Sequence, residues 1–408
     1  MTRTLLKTDP RAVPRFMRVA LYAILLVGAL ASIPVIGGYS PIPVGTLLDA
    51  WIILFILVSI ARGRTYPIVL LFFLVGYLLM RVVPALVAEA PMVDFLQAYR
   101  WVLYLIAFAF AVGRRWGSLV GLKRVTWLLL AMSLAKSLLT IVTFGPTARS
   151  GLLIENNFEL ALFSGLLIII YRELSGRARF WTIALLAAVV VVSGSRSGAI
   201  VFAIAVVYAV SQAKGAGLLR RYFIGLSVPV IIYFVAQVFE SRALVAGIDR
   251  LNFLTVFLAE TRDWDILTWL FGTPPLTALS SNGCNSLAFY VNLFASTEDG
   301  SCYSVILHAF ILRVVFDAGI FGLLLAVIVT FYTLKKSGAS GWMTLTIAGV
   351  MVANSFSVSG LNSPYVGLVI LLAITTCTPR TELRGPSVFD RSGHRGERRR
   401  SPVEPSWA

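Results

Sequence analysis

Residues 305–334 read VILHAFILRVVFDAGIFGLLLAVIVTFYTL, an apolar run whose only basic or acidic side chains are His308, Arg313 and Asp317. About 20 such residues are enough to cross the hydrocarbon core of a bilayer as a helix. Further apolar runs recur from residue 17 to residue 378. Within hydrocarbon, a helix satisfies all of its own backbone polar groups. The sequence therefore predicts an all-α polytopic membrane protein.

The composition excludes several other classes of protein. The chain has 408 residues, of which 58% are hydrophobic and only 13% are charged, about half the charged fraction of an ordinary soluble domain. A soluble globular protein, a disordered chain and a coiled coil are excluded. Lys and Arg number 35 and Asp and Glu 19, a net charge of +16. In a membrane protein, an excess of basic residues indicates which segments lie in the cytoplasm. We therefore expect membrane lipids, and no nucleic acid, as partners.

The basic residues predict the orientation of about twelve spans. Of the 35 Lys and Arg residues, 26 fall on one side of the membrane if the N-terminus is cytoplasmic. Cytoplasmic segments are enriched in these residues, so both termini are predicted to be cytoplasmic. The predicted spans are 17–36, 44–61, 66–87, 98–112, 125–143, 154–171, 180–193, 198–212, 222–239, 305–334, 342–358 and 364–378.

This topology divides the chain into five parts. They are a cytoplasmic N-terminal segment (1–16), transmembrane helices one to nine (17–239), a large outer loop (240–304), transmembrane helices ten to twelve (305–378) and a disordered basic cytoplasmic tail (379–408).

The outer loop is long enough to carry a function or a fold of its own. Residues 251–271 mix apolar and charged side chains at near-helical spacing, which predicts a helix on the outer membrane surface. Cys284 and Cys302 both lie in the loop, in an oxidising compartment, and a disulfide between them is left open. The stretch 263–265, Asp-Trp-Asp, has the form of a metal-binding D-x-D, but nucleotide sugars are not available outside. We interpret these residues as ordinary polar side chains of the loop.

Lys136 is the deepest charged residue in a span. It lies on one helical face with Ser133, Ser137 and Thr140. Charged groups within spans are costly and often functional. The stripe predicts a wet cavity or a polar neighbour, and the alternative is a structural ion pair with an acid such as Asp49 or Glu159.

The turn SGSRSGA, residues 193–199, joins the seventh and eighth spans at the outer side. Ser193 or Ser195 can cap the eighth span, whose free N–H groups and positive dipole end favour an anion. Arg196 adds a rigid fork of donors at the same place. Together they suit a phosphate or pyrophosphate. The alternative is an interfacial arginine that reaches lipid headgroups.

His308 is the only histidine predicted on the outer face, because the other, His394, lies in the tail. Its ordinary pKa suits proton transfer near neutrality, which makes it a candidate base. The alternative is an interfacial polar residue. Arg313 and Asp317 are four residues apart on the same span and are predicted to pair.

The stretch 153–159, Leu-Ile-Glu-Asn-Asn-Phe-Glu, opens the sixth span from outside. Glu155, Asn156, Asn157 and Glu159 could hydrogen-bond sugar hydroxyls or position an acceptor. The alternative is an acidic helix N-terminus with Asn capping, which helix electrostatics favour in any case.

Four of these segments, in this order, resemble the O-antigen ligase and O-antigen polymerase superfamily of bacterial polysaccharide assembly. They are GLLIENNFE (151–159), VSGSRSGA (192–199), TRDWDILTWLFG (261–272) and HAFILRVVFDAGIFGL (308–323). The resemblance covers about 145–335. The Thr-Pro-Pro after Gly272 departs from the Gly-x-Gly that the family often has there.

The resemblance implies a metal-independent glycosyltransferase of GT-C architecture that needs no cofactor. Its donor would be a sugar chain on undecaprenyl pyrophosphate in the bacterial inner membrane. Arg196 and Arg262, with Arg313 as a third partner, would hold the pyrophosphate. His308, together with Glu155, would act on the acceptor hydroxyl. We expect acceptor contacts from Asn156, Asn157, Glu159 and Lys136.

Ligases and polymerases of this superfamily differ in their acceptor. The ENNFE segment looks more like the branch that polymerises lipid-linked repeat units of exopolysaccharide, capsule or O-antigen, so we expect a periplasmic-face polymerase. A ligase that uses lipid A core is the first alternative, and a flippase or transporter for lipid-linked oligosaccharides is the second. A chain-length regulator and a flippase are the expected protein partners.

Overall fold

The computed structural model describes residues 9–63, 66–145, 148, 151–212, 229, 249–297 and 300–379. Of the predicted segments, the ninth span, 222–239, lies outside this range except for Pro229, as do 240–248 and the tail beyond residue 379. The helices are α1 (Arg15–Ser32), α2 (Val44–Ala61), α3 (Ile68–Val87), α4 (Met92–Ala111), α5 (Val120–Phe144), α6 (Asn156–Ile170), α7 (Gly176–Ser193), α8 (Arg196–Ser211), α9 (Asp249–Glu260), α10 (Ile266–Phe271), α11 (Ser281–Ser286), α12 (Phe310–Lys336), α13 (Gly341–Ser355) and α14 (Pro364–Cys377).

A helix occupies each of the other eleven predicted spans, and the described residues contain no β-strand. Seven of the described helices are long and apolar enough to cross a membrane. Four others, α6, α8, α13 and α14, have only 14 to 16 residues. The prediction of an all-α, multi-pass membrane protein is confirmed, while the number of twelve crossings stays a prediction.

One end of the bundle, here called the basic end, collects loops that are distant in sequence. Arg114, after α4, donates to the carbonyls of Ser59 and Pro10 at 2.6 and 2.8 Å. The backbone N–H of Trp116 donates to the carbonyl of Thr375 at 2.9 Å. Basic residues at this end are Arg11, Arg15, Arg18, Arg62, Arg114, Arg115, Lys123, Arg124, Arg172, Arg177, Arg179, Lys335 and Lys336. Which side of the membrane this end faces stays a prediction.

The centre of the bundle is built from α4, α6 and α14. Every residue of 158–170 in α6 and of 364–375 in α14 is buried. Helices that are apolar on all sides belong inside a bundle. At the contact between them, a Cβ on Gly165 would lie only 2.3 Å from Cγ1 of Val369, so the glycine allows the two helices to approach closely.

Helix α12 breaks its regular geometry at Gly319, where φ is 67°. The break leaves backbone carbonyls without their usual helical partners. Thr273, just after α10, donates its N–H to the carbonyl of Phe316 at 2.9 Å. The hydroxyl of Tyr99 donates to the carbonyl of Asp317 at 3.0 Å. The outer loop and α4 therefore supply hydrogen bonds that the break removes.

The short helix α10 docks on α12 at this break, with backbone against backbone. A Cβ on Gly319 would lie 2.3 Å from the carbonyl of Leu270, and one on Gly272 would lie 2.4 Å from the nitrogen of Ala318. Arg81 of α3 donates to the last carbonyl of α10 at 2.6 Å. Gly272 and Gly319 are thus explained by the close approach of the two backbones.

Two predicted elements differ from the structure. The span predicted at 305–334 does not start as a helix, because 304–307 is a 3-10 turn and His308 follows with φ of 52°. The surface helix predicted at 251–271 is two helices, since 261–265 forms a turn between α9 and α10. In both cases the contact of the outer loop with α12 determines the backbone conformation. The periodicity of apolar residues does not reveal such a contact.

Cys284 and Cys302 form a disulfide, with their Cα atoms 5.7 Å apart. Both are buried in a second apolar cluster that also contains Phe253, Leu307 and Phe316. The disulfide ties α11 to the chain that enters α12. The outer loop therefore has a core of its own that continues into the bundle.

We predict that Gly319→Ala destabilises the protein by about 3 kcal/mol, because an alanine meets both a positive φ and the backbone of Leu270. Thermal unfolding in detergent measures this effect. The control is Gly76→Ala in α3, where a new Cβ has no neighbour within 4 Å; helix propensity predicts a gain of about 1 kcal/mol there. Equal melting temperatures for the two variants would contradict the docking that we describe.

Candidate functional site

The end of the bundle opposite the basic end, here called the loop end, holds the start of α6 and the turn between α7 and α8. The side-chain oxygen of Asn157 accepts hydrogen bonds from Ser195 and Ser197 at 2.7 and 2.6 Å. Its amide nitrogen donates to the carboxylate of Glu155. Asn157 therefore joins the two sequence motifs that were separately predicted to bind a sugar acceptor and a phosphate.

Each of the residues around Arg196 has a structural role in the turn between α7 and α8. Gly194 ends α7 in the left-handed conformation, with φ of 58°. Ser195 caps α8 by accepting from the N–H of Gly198 at 3.0 Å. A Cβ on Gly198 would lie 2.1 Å from Leu160 of α6, so α8 begins tightly against α6. Arg196 is the first residue of α8 and is exposed at its positive dipole end.

A series of hydrogen bonds links this turn to His308. Asn354 of α13 donates to the carbonyl of Asn157 at 2.9 Å. The N–H of Val358 donates to the carbonyl of Asn354, and the N–H of Phe310 to the carbonyl of Val358, both at 3.0 Å. His308, two residues before Phe310, thus lies at the same end of the bundle as Arg196.

His308 is half-buried beneath the outer loop. Its ring centroid lies 6.0 Å from that of Phe253 and 6.1 Å from that of Tyr290. Sequence reasoning missed both rings, because nothing in the sequence indicates which loop aromatics reach His308. The disulfide-bonded loop therefore forms one wall around the imidazole.

Arg262 lies exposed in the turn between α9 and α10. Asp265, in the same turn, caps α10 by accepting from the N–H and hydroxyl of Thr268 at 2.7 and 2.6 Å. These hydrogen bonds lower the pKa of the Asp265 carboxyl. This carboxylate therefore has a local structural role in the turn, in line with the interpretation of the Asp-Trp-Asp stretch as ordinary polar side chains of the loop.

Arg313 is buried, with 3% of its surface exposed, and donates to the carbonyl of Gln97. Asp317 accepts from the hydroxyl of Ser304 at 2.6 Å. The predicted pair of Arg313 and Asp317 is an electrostatic attraction between the two charges without a direct salt bridge. Ser304 belongs to the 3-10 turn before α12, and Gln97 belongs to α4. Arg313 lies inside the protein, whereas Arg196 and Arg262 are exposed.

Lys136 and Glu159 are both buried and hold loops at the loop end. Lys136 donates to the carbonyls of Gly38 and Gly151 at 2.8 and 2.7 Å. Glu159 accepts from the N–H groups of Leu153 and Ile154, the latter at 2.7 Å. The polar neighbour predicted for Lys136 is confirmed, because loop carbonyls accept hydrogen bonds from its ammonium group, and it forms no salt bridge with Asp49 or Glu159. The side chain of Asn156 makes no hydrogen bond to the described part of the chain.

Sequence reasoning also missed a polar cluster between α2 and α4. Asp49 pairs with Arg100 at 3.1 Å and accepts from the hydroxyl of Tyr104. The available signal was an acid and a base, each within an otherwise apolar span. Their proximity depends on which helices are neighbours, which the sequence alone does not reveal.

No protein-family model matches the chain, and neither a characterised protein nor a solved structure is significantly similar to it. The resemblance of its motifs to the O-antigen superfamily therefore stays a prediction. Any functional proposal has to rest on the site itself.

We predict that Asn157→Ala lowers the free energy of unfolding by about 2 kcal/mol, because Ser195 and Ser197 lose their shared acceptor in a buried place. The control is Asn156→Ala, which should change stability by less than about 0.5 kcal/mol. Thermal unfolding of the purified variants measures both effects. If the two variants unfold alike, Asn157 does not hold the turn to α6.

Proposed function

We propose that the protein is a glycosyltransferase that polymerises pyrophosphate-linked oligosaccharide repeat units at the loop end, on the periplasmic face of the bacterial inner membrane. The observation that carries the proposal is the contact of Asn157 with both serines that flank Arg196. It brings a carboxylate and amides, which suit sugar hydroxyls, next to a capped helix start and a guanidinium, which suit a phosphate.

In this proposal Arg196 and the N-terminus of α8 bind the pyrophosphate of the donor lipid. Negative charge develops there as the glycosidic bond breaks, and fixed donors stabilise it without having to reorganise. Arg262, exposed on the outer loop, is the second cation for the diphosphate. Arg313 receives no such role, because it is buried and occupied by the carbonyl of Gln97.

The acceptor hydroxyl attacks the anomeric carbon on the side opposite the pyrophosphate. A new carbon–oxygen bond forms, the bond to the phosphate oxygen breaks, and its electron pair leaves with the pyrophosphate. His308 accepts the proton of the attacking hydroxyl. Glu155, whose carboxylate is already oriented by Asn157, contacts the acceptor sugar. The anomeric configuration is inverted.

The same chemistry would serve a ligase that transfers the glycan to lipid A core, and the two differ only in the acceptor. Reconstitution into proteoliposomes with lipid-linked repeat units separates the candidates. A ladder of products supports the polymerase, transfer only onto lipid A core supports a ligase, and movement across the bilayer without a new bond supports a flippase.

Arg196→Ala should lower the rate of transfer in proteoliposomes by at least about 100-fold, because the leaving group loses its fixed cation. Arg177→Ala is a matched control. Arg177 is exposed in the first turn of α7, whose start is capped by Ser175 through the N–H of Ala178 at 3.4 Å, but it lies at the basic end. The control should keep the wild-type rate, and a wild-type rate for Arg196→Ala would remove Arg196 from the site.

His308→Ala should slow transfer by about 100-fold, since loss of a general base commonly costs 10² or more. Binding of the lipid-linked donor should persist, because the proposed donor contacts are Arg196 and Arg262. The measurement is a single-turnover rate together with donor binding to the same protein sample. A rate equal to that of the wild type would leave His308 with a structural role only.

A further inference from the structure

A cavity of about 460 Å³ opens at the loop end. Elements that line it include the α1–α2 connection, α4, the start of α6 and the start of α14. Its lining includes Tyr39, Thr46, Arg100, Phe158, Ser359 and Tyr365. Tyr39 and Thr46 are exposed and Tyr365 is fully buried, so the cavity runs from the surface into the bundle. Its volume is typical of a small-molecule site.

Tyr365 supplies the first sign that the cavity takes a polar ligand. Its exposed fraction is 0%, and its hydroxyl has no hydrogen-bond partner among the described residues. A buried hydroxyl without a partner is costly, and most such groups in proteins are satisfied. Because Tyr365 belongs to the cavity lining, a ligand whose hydroxyl group reached this buried oxygen would supply the missing bond.

Arg100 supplies the second sign. It uses one nitrogen to pair with Asp49 at 3.1 Å, and Tyr104 donates to the same carboxylate. Its Nε is buried without a partner among the described residues. Among the described residues that line the cavity, Arg100 is the only charged one, and Asp49 balances its charge. The described lining thus offers guanidinium N–H donors without a net positive charge.

This combination distinguishes between classes of ligand. A phosphate or a carboxylate is best held by cations whose charge no neighbouring carboxylate balances. The Arg100–Asp49 pair is neutral overall and offers both hydrogen-bond donors and acceptors, which suits hydroxyl groups. Phe158 and Tyr39 add ring faces against which the apolar face of a sugar can pack. The cavity also adjoins the proposed catalytic site, because Phe158 follows Asn157 directly in α6.

We propose that this cavity is a saccharide-binding subsite for one or two uncharged sugar rings, which contact Arg100 and the hydroxyl of Tyr365. Its assignment to the acceptor glycan rests on the proposed function, whereas the binding of a saccharide does not. The subsite lies apart from the residues that hold the pyrophosphate in the proposal, so the two can be tested separately.

The test is isothermal titration of the full-length protein in phosphatidylcholine nanodiscs with maltose, cellobiose and N,N′-diacetylchitobiose. Tyr365→Phe removes only the buried hydroxyl and keeps the ring. We expect it to weaken saccharide binding by about fivefold, the loss of one hydrogen bond, without lowering the melting temperature of the ligand-free protein. Tyr208→Phe, at another buried tyrosine in α8 far from the cavity, is the control and should bind as the wild type does.

Three results would overturn the proposal. The first is that none of the disaccharides binds the wild type at millimolar concentration. The second is equal affinity in Tyr365→Phe and wild type. The third is that inorganic phosphate, or phosphatidylglycerol added to the nanodiscs, binds in a manner that Tyr365→Phe weakens, which would identify a phosphate or headgroup site instead.

The transfer assay keeps this inference distinct from the proposed function. If the wild type transfers no sugar but binds a disaccharide through Tyr365, the glycosyltransferase fails and the subsite stands. If Arg196→Ala abolishes transfer while Tyr365→Phe changes neither disaccharide binding nor the dependence of transfer on acceptor concentration, the enzyme stands and the subsite fails.

Discussion

The side-chain amide of Asn157 holds the candidate site together. Two hydroxyls from the α7–α8 turn share its oxygen, while its nitrogen orients Glu155 two residues earlier. Its backbone carbonyl accepts from Asn354, which continues the network toward the turn of His308. A single residue therefore couples three helix ends, and the positions of the phosphate-binding and sugar-binding groups relative to each other depend on it.

Four basic side chains that penetrate the bundle share one way of being satisfied, and Arg100, which pairs with Asp49, differs from them. Arg81, Arg114, Lys136 and Arg313 all donate to backbone carbonyls, and none of them forms a salt bridge with a carboxylate in the described part of the chain. Carbonyls at helix ends and loops lack helical partners and carry partial negative charge. A cation placed there satisfies an otherwise orphaned acceptor. This use explains why charged residues within spans are not in themselves evidence of a ligand site.

The sequence predicted most of the helices and much less of the site. The helix at 44–61 was predicted with its observed bounds, because the bilayer demands an apolar run of that length. For Glu155 and Arg196, the sequence predicted only that both lie on the same side of the membrane, and not that they are close together. The break at Gly319 and the conformation of His308 depend on contacts with α10, which periodicity does not report. Lys136 binds loop carbonyls, and every residue type carries a carbonyl, so no sequence signal identified them.

The shortness of the two central helices has a consequence for how a lipid could reach the site. At 1.5 Å per residue, the 15 residues of α6 and the 14 of α14 span about 21 to 23 Å, against a hydrocarbon thickness of about 30 Å. Near its C-terminal end, α14 is tethered at the basic end through Thr375. With the C-terminal ends of α6 and α14 at one headgroup plane, their N-termini, which flank the cavity, would lie several ångströms below the opposite headgroup plane. A lipid-borne headgroup could enter sideways at that depth, while its acyl or prenyl tail remains dissolved in the bilayer.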